Sequence, residues 1–331
     1  MNKKKYDILS IGDALVDLEF NVNENFLKEL NLPKGKMTLI DHETYHNLIE
    51  DLIGIQHVKA CGGSAANSII TAQLLGATTF YCGRVAKDEY GQFFYEDLKD
   101  KGVSTNIDKK KQYDGHTGKC IVMLTPDGER TMSTFKGISE YLSLTDLCDQ
   151  TIQNSKYLFT EGYLVTLPST FAVALKAHEL AYQYGIKRVL SLSDCNVIKK
   201  FKNNLLLLMK NPVDLLFCNE QEALDFCQTT NLEKAKTILL QYAKTFTVTL
   251  GKKGSITYDG HQSFYSPAIK TDFVDSLGAG DIFAGTFLYG LSRGYSYEAA
   301  NRLSNIAASR IVSKTGPRIN QHDAEHILEC V

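Results

Sequence analysis

The most informative stretch of the sequence is Val274-Asp275-Ser276-Leu277-Gly278-Ala279-Gly280-Asp281-Ile282-Phe283-Ala284-Gly285. Small residues precede an apolar pattern that is typical of a helix, so backbone N–H groups at Gly278, Ala279 and Gly280 can face a ligand without obstruction by side chains. The dipole of the helix favours negative charge at the same end. The stretch therefore predicts an anion-binding site, or anion hole, at the start of a helix.

Asp281 lies in the first turn of this predicted helix, next to the anion hole. A carboxylate in that position can accept the proton of a hydroxyl group that attacks a phosphoryl group. A simpler interpretation is that Asp281 only complements the helix dipole and that the glycines only form a tight turn. The residues of this stretch alone leave both interpretations open.

Composition excludes several classes of protein. The 331 residues include 36 Lys and Arg against 38 Asp and Glu, a formal net charge of -2, so no basic field is available for nucleic acid or anionic lipid and a small ligand is expected. Apolar runs such as Leu205–Met209 are too short to span a membrane, and the basic start Met1–Lys5 lacks the uninterrupted apolar stretch of a signal peptide. The 8 cysteines form no Cys-x-x-Cys pair, which favours reduced thiols and a cytoplasmic protein.

The order of the predicted elements favours an α/β fold. Tyr6–Ile11 is an apolar run that predicts a buried first strand, and from residue 156 onward strands alternate with helices. Such alternation builds a parallel sheet with helices on both faces. The β-rich segments 13–60 and 113–137 are predicted to be insertions that form a small lid on a single domain spanning residues 1–331, and Pro126-Asp127-Gly128 predicts a hairpin turn in the second segment.

Two common nucleotide-binding motifs are absent from the sequence. No G-x-x-x-x-G-K-[ST] string occurs, and the turn Gly251–Gly254 is too short to be a P-loop, which disfavours the Walker-type NTPases. The first strand is followed by Gly12-Asp13-Ala14-Leu15-Val16-Asp17 rather than by G-x-G-x-x-G, which disfavours a dinucleotide-binding Rossmann domain.

Four motifs lie in order along nearly the whole chain, and they are Gly62-Gly63-Ser64-Ala65-Ala66-Asn67-Ser68, Asn219-Glu220-Gln221-Glu222, Thr249-Leu250-Gly251-Lys252-Lys253-Gly254 and Asp275–Gly285. They resemble the motifs of the ribokinase-like (pfkB) family of carbohydrate and nucleoside kinases. The resemblance implies a three-layer α/β/α sandwich with a central, mostly parallel sheet and a small β-rich lid. It also implies a kinase that uses ATP and Mg²⁺, and some relatives require a monovalent cation such as K⁺.

The resemblance also implies roles for individual residues. Asp281 would be the catalytic base, and the N–H groups of residues 277–280 would bind the transferred phosphoryl group. The residues implied to bind the nucleotide are Asn219, Glu222, Thr249, Gly251, Gly254 and Asn305. Glu222 would hold Mg²⁺ through water, although Asn219 followed three residues later by Glu222 is also the pattern of a capping box, and both roles can hold together. The basic pair Lys314 and Arg318 is compatible both with a role in the site and with a solvated turn.

The residues implied to bind the phosphoryl acceptor are Asp13, Asp17, Gly63, Ser64 and Asn67, although Ser64 also fits a helix N-cap. One carboxylate can accept two hydroxyl hydrogen bonds, which suits a polyol. The segment 13–60 resembles the adenosine kinase branch, whereas Ser191–Asn196 keeps part of the sugar kinase pattern. The leading expectation is a kinase for the primary hydroxyl of a ribonucleoside, adenosine first. The alternatives are a kinase for ribose, fructose or a related sugar acid, and a non-catalytic binding protein. A monomer and a homodimer are both compatible with the resemblance.

Overall fold

Residues 4–108, 113–314 and 316–330 are described in the computed structural model, and they form fourteen strands and twelve α-helices, besides four short 3-10 helices. The strands are β1 (Tyr6–Ile11), β2 (Leu15–Asn21), β3 (Met37–Leu39), β4 (His57–Cys61), β5 (Thr79–Cys82), β6 (Ser104–Thr105), β7 (Gly118–Leu124), β8 (Arg130–Phe135), β9 (Ser155–Glu161), β10 (Lys187–Ser191), β11 (Val213–Asn219), β12 (Ala243–Thr249), β13 (Ser255–Tyr258) and β14 (Ser263–Ser266). The helices are α1 (Glu24–Glu29), α2 (His42–Asp51), α3 (Ser64–Leu74), α4 (Glu89–Asp100), α5 (Asp149–Gln153), α6 (Pro168–Gln183), α7 (Cys195–Leu208), α8 (Glu220–Cys227), α9 (Leu232–Leu239), α10 (Ala279–Ser292), α11 (Tyr297–Val312) and α12 (Gln321–Leu328).

Nine strands form the large sheet, in the order β14-β13-β12-β11-β10-β9-β1-β5-β6. The strands from β12 to β6 are parallel to their neighbours, whereas β13 and β14 pair antiparallel at one edge. All six residues of β1 are buried, as expected for a parallel strand that is covered on both faces. The predicted α/β class with a central, mostly parallel sheet is confirmed.

Alternate residues of the central strands point into two separate cores. On β1, Ile8 belongs to one core and Leu9 to the other, and the same alternation places Tyr157 and Leu158 of β9 on opposite faces. This follows from the two-residue period of a strand. Buried residues of α3, α10 and α11 fill the first core, and those of α6, α7 and α8 fill the second. The arrangement is the three-layer sandwich that the sequence predicted.

A second sheet has the strand order β3-β8-β7-β2-β4. The chain passes from β1 in the large sheet to β2 in the second sheet through residues 12–14 alone, so Asp13 lies at the crossing. β7 and β8 form the predicted hairpin, whereas β2 pairs with β7 in parallel. The second sheet is made from the two predicted insertions, except that β4 extends to Cys61.

Some element boundaries differ from the sequence prediction. The segment 13–60 contains α1 and α2 in addition to strands, because Asn23 and Asp41 each cap a short helix with a side-chain oxygen. Strand β5 ends at Cys82. Helix α7 begins at Cys195, because Asp194 accepts hydrogen bonds from its first turn. In the described part of the chain, no helix has the length and apolar character needed to cross a membrane.

Candidate active site

A cavity of about 360 Å³ lies between the second sheet and the carboxyl ends of four parallel strands of the large sheet. The last residues of β9, β10, β11 and β12 line it, and they are Glu161, Ser191, Asn219 and Thr249. The turn before α10 and the first turn of α3 also reach the cavity. Ligands of open α/β sheets bind at this edge, because the helices that follow the strands begin there.

Asp281 is held by two side chains of α3. Ser64 Oγ donates a hydrogen bond to Asp281 Oδ1 (2.6 Å), and Asn67 Nδ2 donates to Asp281 Oδ2 (2.9 Å). Burial raises the pKa of Asp281 to about 6, although both hydrogen bonds lower it. Ser64 and Asn67 line the cavity as well as contacting this carboxylate, and Gly63 is the N-cap of α3 in place of Ser64.

Arg318 is part of the site and is not in a solvated turn. Its Nε donates to Asn67 Oδ1 (2.7 Å), and one terminal nitrogen donates to the carbonyl oxygen of Gly62 (3.2 Å). The other terminal nitrogen pairs with the carboxylate of Asp97. Because Arg318 binds the oxygen of the Asn67 amide, the amide nitrogen is directed to Asp281. The sequence contains no local pattern that indicates this contact, since 251 residues separate Arg318 from Asn67.

The turn before α10 has the predicted conformation at Gly278. This residue is the N-cap with φ of 74°, and a Cβ there would lie 2.2 Å from the carbonyl oxygen of Pro317, so only glycine fits. Gly278 and Gly280 line the cavity, and their N–H groups make no hydrogen bond to any other described residue. Ala279 does not line the cavity, and its N–H donates to the carbonyl oxygen of Ser276 (3.2 Å). Ala279 is therefore a weaker candidate for the anion hole than its two neighbours.

A buried ion pair also lines the cavity. Lys136 Nζ is 2.7 Å from Asp13 Oδ2, and both side chains are only 3% exposed. Lys136 also donates to the carbonyl oxygen of Tyr163 (3.1 Å) and to Thr166 Oγ1 (3.0 Å), so all three of its protons are used. Asp13 Oδ1 is buried without a hydrogen-bond partner among the described residues. Asp13 therefore offers a free acceptor atom, whereas Lys136 has no free donor.

Glu161 fixes the position of Asp13. Its Oε1 accepts a hydrogen bond from the backbone N–H of Asp13 and its Oε2 accepts one from Ala65, each at 2.7 Å. Burial, together with the charge of Asp13, raises the pKa of Glu161 to about 8. Gly12 leaves room for this carboxylate, since a Cβ there would lie 2.7 Å from Glu161 Oε2. Neither Glu161 nor Lys136 belongs to a motif that sequence reasoning could recognise.

Asp17 is a second aspartate that lines the cavity. It lies on β2 and is 8% exposed. Burial raises its pKa to about 7, and the charge of Arg318 opposes this effect. A Cβ at Gly62 would lie 2.1 Å from Asp17 Oδ1, which explains why a glycine precedes Gly63 there.

Asn219 and Glu222 form the capping box that the sequence allowed. Glu222 Oε2 accepts from the N–H of Asn219 (3.0 Å), and Glu222 Oε1 accepts from Asn219 Nδ2 (2.8 Å). Burial raises the pKa of Glu222 to about 7, and the negative charges of Asp194 and Asp281 add to this effect. Oxygen donors and an excess of negative charge suit Mg²⁺, and each Glu222 oxygen keeps a lone pair for a bridging water. The residues present therefore fit a metal ion that is held through water.

The other predicted nucleotide-binding residues lie near the end of β12. Thr249 lines the cavity, whereas Gly251, Gly254 and Asn305 are not among its lining residues. Gly254 has φ of 105° in the tight turn between β12 and β13. Asn305 Nδ2 donates inside the protein to Ser255 Oγ (2.7 Å), so its side chain supports this turn.

Arg130 connects the second sheet to the turn before α10. One terminal nitrogen lies 2.6 Å from Glu19 Oε2, and the other lies 2.8 Å from Asp275 Oδ2. Asp275 Oδ1 in turn accepts from the N–H of Leu277 (2.9 Å). The position of the second sheet and the conformation of the turn before α10 are therefore linked by one side chain.

Comparison with known proteins identifies the family. Residues 7–324 match the family described as pfkB family carbohydrate kinase. The adenosine kinase from Sinorhizobium meliloti has a TM-score of 0.92 and 32% identity, with coverage of 99% of this chain and 100% of that one. The probable sugar kinase protein from Rhizobium etli has a TM-score of 0.92 and 31% identity, with 99% of each chain covered. The 5-dehydro-2-deoxygluconokinase of Shouchella clausii is 26% identical over 322 residues, or 94% of this chain and 91% of that protein. The chain therefore belongs to the pfkB family of carbohydrate kinases, and it is an ATP-dependent phosphotransferase with an alcohol group as the acceptor.

Proposed function

We propose that this kinase phosphorylates the primary hydroxyl of a ribonucleoside, with adenosine as the leading substrate. The observation that carries the proposal is the set of apolar side chains that the second sheet contributes to the cavity, beside the carboxylates of Asp13 and Asp17. These apolar residues are Leu15, Met37, Leu39, Val122 and Met132. A flat heterocyclic base can bury its faces against such side chains, whereas a free sugar has no comparable apolar surface.

The charged side chains that line the cavity support the same choice of substrate. Asp13 and Asp17 line the cavity, and Asp13 Oδ1 requires a donor such as a hydroxyl or an amine. Lys136 uses its three protons on protein acceptors, so a substrate carboxylate would meet two aspartates without a free cation to pair with it. This arrangement disfavours a sugar acid as the acceptor. It is compatible with the hydroxyl groups of a ribose.

The mechanism assigns one step to each part of the site. Asp281 accepts the proton of the acceptor hydroxyl as its oxygen attacks the γ-phosphorus of ATP, and the bond from that phosphorus to the β–γ bridging oxygen breaks to release ADP. The N–H groups of Gly278 and Gly280 stabilise the charge on the transferred phosphoryl group, and such donors contribute about 3 to 4 kcal/mol each. Mg²⁺, when bound, neutralises phosphate charge, and Glu222 and Asn219 would hold it through water.

An acceptor panel in a coupled assay of ADP release tests the substrate. We expect turnover with adenosine to exceed turnover with ribose, fructose and 5-dehydro-2-deoxygluconate at equal concentrations. Asp281→Asn should abolish transfer and leave ATP binding nearly intact, because the amide cannot accept the proton. Fructose turnover without adenosine turnover would refute the nucleoside proposal, and a k_cat for Asp281→Asn close to that of the wild type would refute the role of Asp281.

A sugar kinase is the second candidate. The 26% identity to a 5-dehydro-2-deoxygluconokinase over 94% of this chain favours it. The same panel distinguishes it from the nucleoside kinase, and an acceptor that binds without phosphate transfer would instead indicate a non-catalytic binding protein.

We also propose how the chain is organised into a domain and a lid. Residues 1–331 are proposed to act as one kinase domain, with segments 13–60 and 113–137 as a lid that excludes water from the acceptor. A cytoplasmic location, a K⁺ requirement and the choice between monomer and homodimer stay predictions. Light scattering measures the oligomeric state, and an assay in Na⁺ and K⁺ salts measures the cation requirement.

A further inference from the structure

Three histidines form a cluster that the kinase reaction does not use. His42 and His46 lie four residues apart on α2, and His116 lies in the loop before β7. All three are exposed, and one ring nitrogen from each lies within 4.8 Å of the other two. The Nε2 atoms of His42 and His46 are 3.0 Å apart. The fold therefore brings an i, i+4 histidine pair together with a third imidazole from a different element.

The spacing is close to that of a tetrahedral metal site. Bonds of about 2.0 to 2.1 Å from nitrogen to zinc place two ligand nitrogens about 3.4 Å apart. The Nε2 atoms of His42 and His46 are about 0.4 Å closer than this, and rotation of the exposed rings can adjust the separations. The ring centroid of His116 lies 4.8 Å from that of His42 and 6.2 Å from that of His46.

The Nε2 atoms of His42 and His46 share a hydrogen bond with each other, and a bound metal ion would replace it. The side chain of Lys119 donates to the carbonyl oxygen of Thr117 and lies over the ring of Tyr90. The ring of His42 packs edge-on against Phe135, which orients the imidazole without using its nitrogens. Imidazole ligands favour zinc and similar transition metals, whereas the carboxylates and amide of the kinase cavity favour Mg²⁺.

We propose that His42, His46 and His116 form a second metal site, which binds Zn²⁺ or a similar transition-metal ion through three imidazoles. The fourth coordination position is open to water or to an external ligand, as in three-histidine zinc sites generally. This site is separate in chemistry from the Mg²⁺ position at Glu222.

The position of the cluster gives metal binding a structural consequence. The carbonyl oxygen of His116 accepts a hydrogen bond from the N–H of Ile138 (2.7 Å), just after β8 leaves the second sheet. A Cβ at Gly137 would lie 2.2 Å from this same oxygen, so the two segments are in close contact. A metal ion bound by the three histidines therefore connects α2 to the chain segment that follows β8. This segment contains Lys136 and leads to the cavity.

A second histidine pair provides a matched control. His322 and His326 lie four residues apart on α12 with their Nε2 atoms 3.1 Å apart. Among the described residues, no third ligand completes a metal-binding group there. This pair has the same local geometry as His42 and His46 but lacks the counterpart of His116.

The test is zinc binding to the full chain, measured by competition with a chromophoric chelator, together with thermal unfolding. We expect one tightly bound Zn²⁺ per chain, a higher Tm with zinc, and visible absorption typical of tetrahedral Co²⁺ when cobalt replaces zinc. His116→Ala and His46→Ala should each weaken binding by at least about 100-fold and remove the Tm shift, because each removes a ligand. His326→Ala should change neither.

Two results would overturn the proposal. One is wild-type affinity in both His116→Ala and His46→Ala, and the other is no binding by the wild type at micromolar zinc. The three side chains are exposed, so these variants should fold, and a far-UV circular dichroism spectrum checks this directly. Because binding is measured without substrate, the outcome does not depend on which acceptor the kinase uses.

Discussion

The hydrogen bonds that hold Asp281 predict a specific pH dependence of phosphate transfer. Burial raises the pKa of Asp281 to about 6, and the bonds from Ser64 and Asn67 lower it. A general base must be deprotonated, so k_cat rises with pH through about 6 and is constant above it. Below that value the carboxylate gains a proton, and k_cat falls about tenfold per pH unit. At pH 5 about one tenth of the enzyme has an active base.

Ser64→Ala removes one of the two bonds that favour the carboxylate. A hydrogen bond to a charged group contributes about 1.5 to 3 kcal/mol, and about 1.4 kcal/mol corresponds to one pH unit. Water can replace part of this bond, because Asp281 is only partly buried. We therefore expect the acidic limb of k_cat to move upward by about one pH unit. At pH 6 the variant should be about fivefold slower than the wild type, relative to the rates at pH 8.

The assay is k_cat against pH with saturating acceptor and saturating MgATP. Ser68→Ala is the matched control, since Ser68 Oγ lies on the same helix but donates to the carbonyl oxygen of Ser64 and not to Asp281. Its acidic limb should coincide with that of the wild type. Two results would refute the assignment of the acidic limb of the pH profile to Asp281. One is an unshifted limb in both Ser64→Ala and Asn67→Ala, and the other is an equal shift in Ser64→Ala and Ser68→Ala.

Two further predictions concern stability, measured by urea unfolding. Lys136→Met leaves the buried Asp13 carboxylate without its partner, so it should lower the free energy of unfolding by about 3 to 5 kcal/mol. The double variant with Asp13→Asn should recover part of this loss. Equal losses in the single and double variants would contradict a stabilising interaction between Lys136 and Asp13. Gly278→Ala should lower the free energy of unfolding by about 2 kcal/mol or more, because φ is positive there and the added Cβ meets the carbonyl oxygen of Pro317. At Gly280 an added Cβ meets free space, so Gly280→Ala should change the free energy of unfolding by less than about 0.5 kcal/mol. Similar losses for the two glycine variants would show that backbone strain at Gly278 is not the cause.

The sequence predicted the large sheet well because the signals for it are local. Apolar runs such as Tyr6–Ile11 can only be buried on both faces, and alternating strands and helices favour parallel pairing. The turn at Pro126–Gly128 correctly indicated the hairpin of β7 and β8. The parallel pairing of β2 with β7 had no such signal, because the two strands are distant in the chain and only the packed structure aligns them. Helix α2 was missed within the segment 13–60 because it is short and its start depends on one capping side chain, that of Asp41.

The sequence by itself determined the start of α10 and the position of Asp281 within it. That geometry depends on consecutive backbone conformations, which the small residues from Gly278 to Gly280 specify. Only the tertiary structure decided which side chains hold Asp281 and which charges face the acceptor. Asn67 reaches Asp281 across 214 residues of chain because α3 and α10 pack closely. This close packing requires glycine at position 285, since a Cβ there would lie 2.2 Å from the carbonyl oxygen of Ser68. Such contacts arise from the packing of distant segments, and no local pattern in the sequence specifies them.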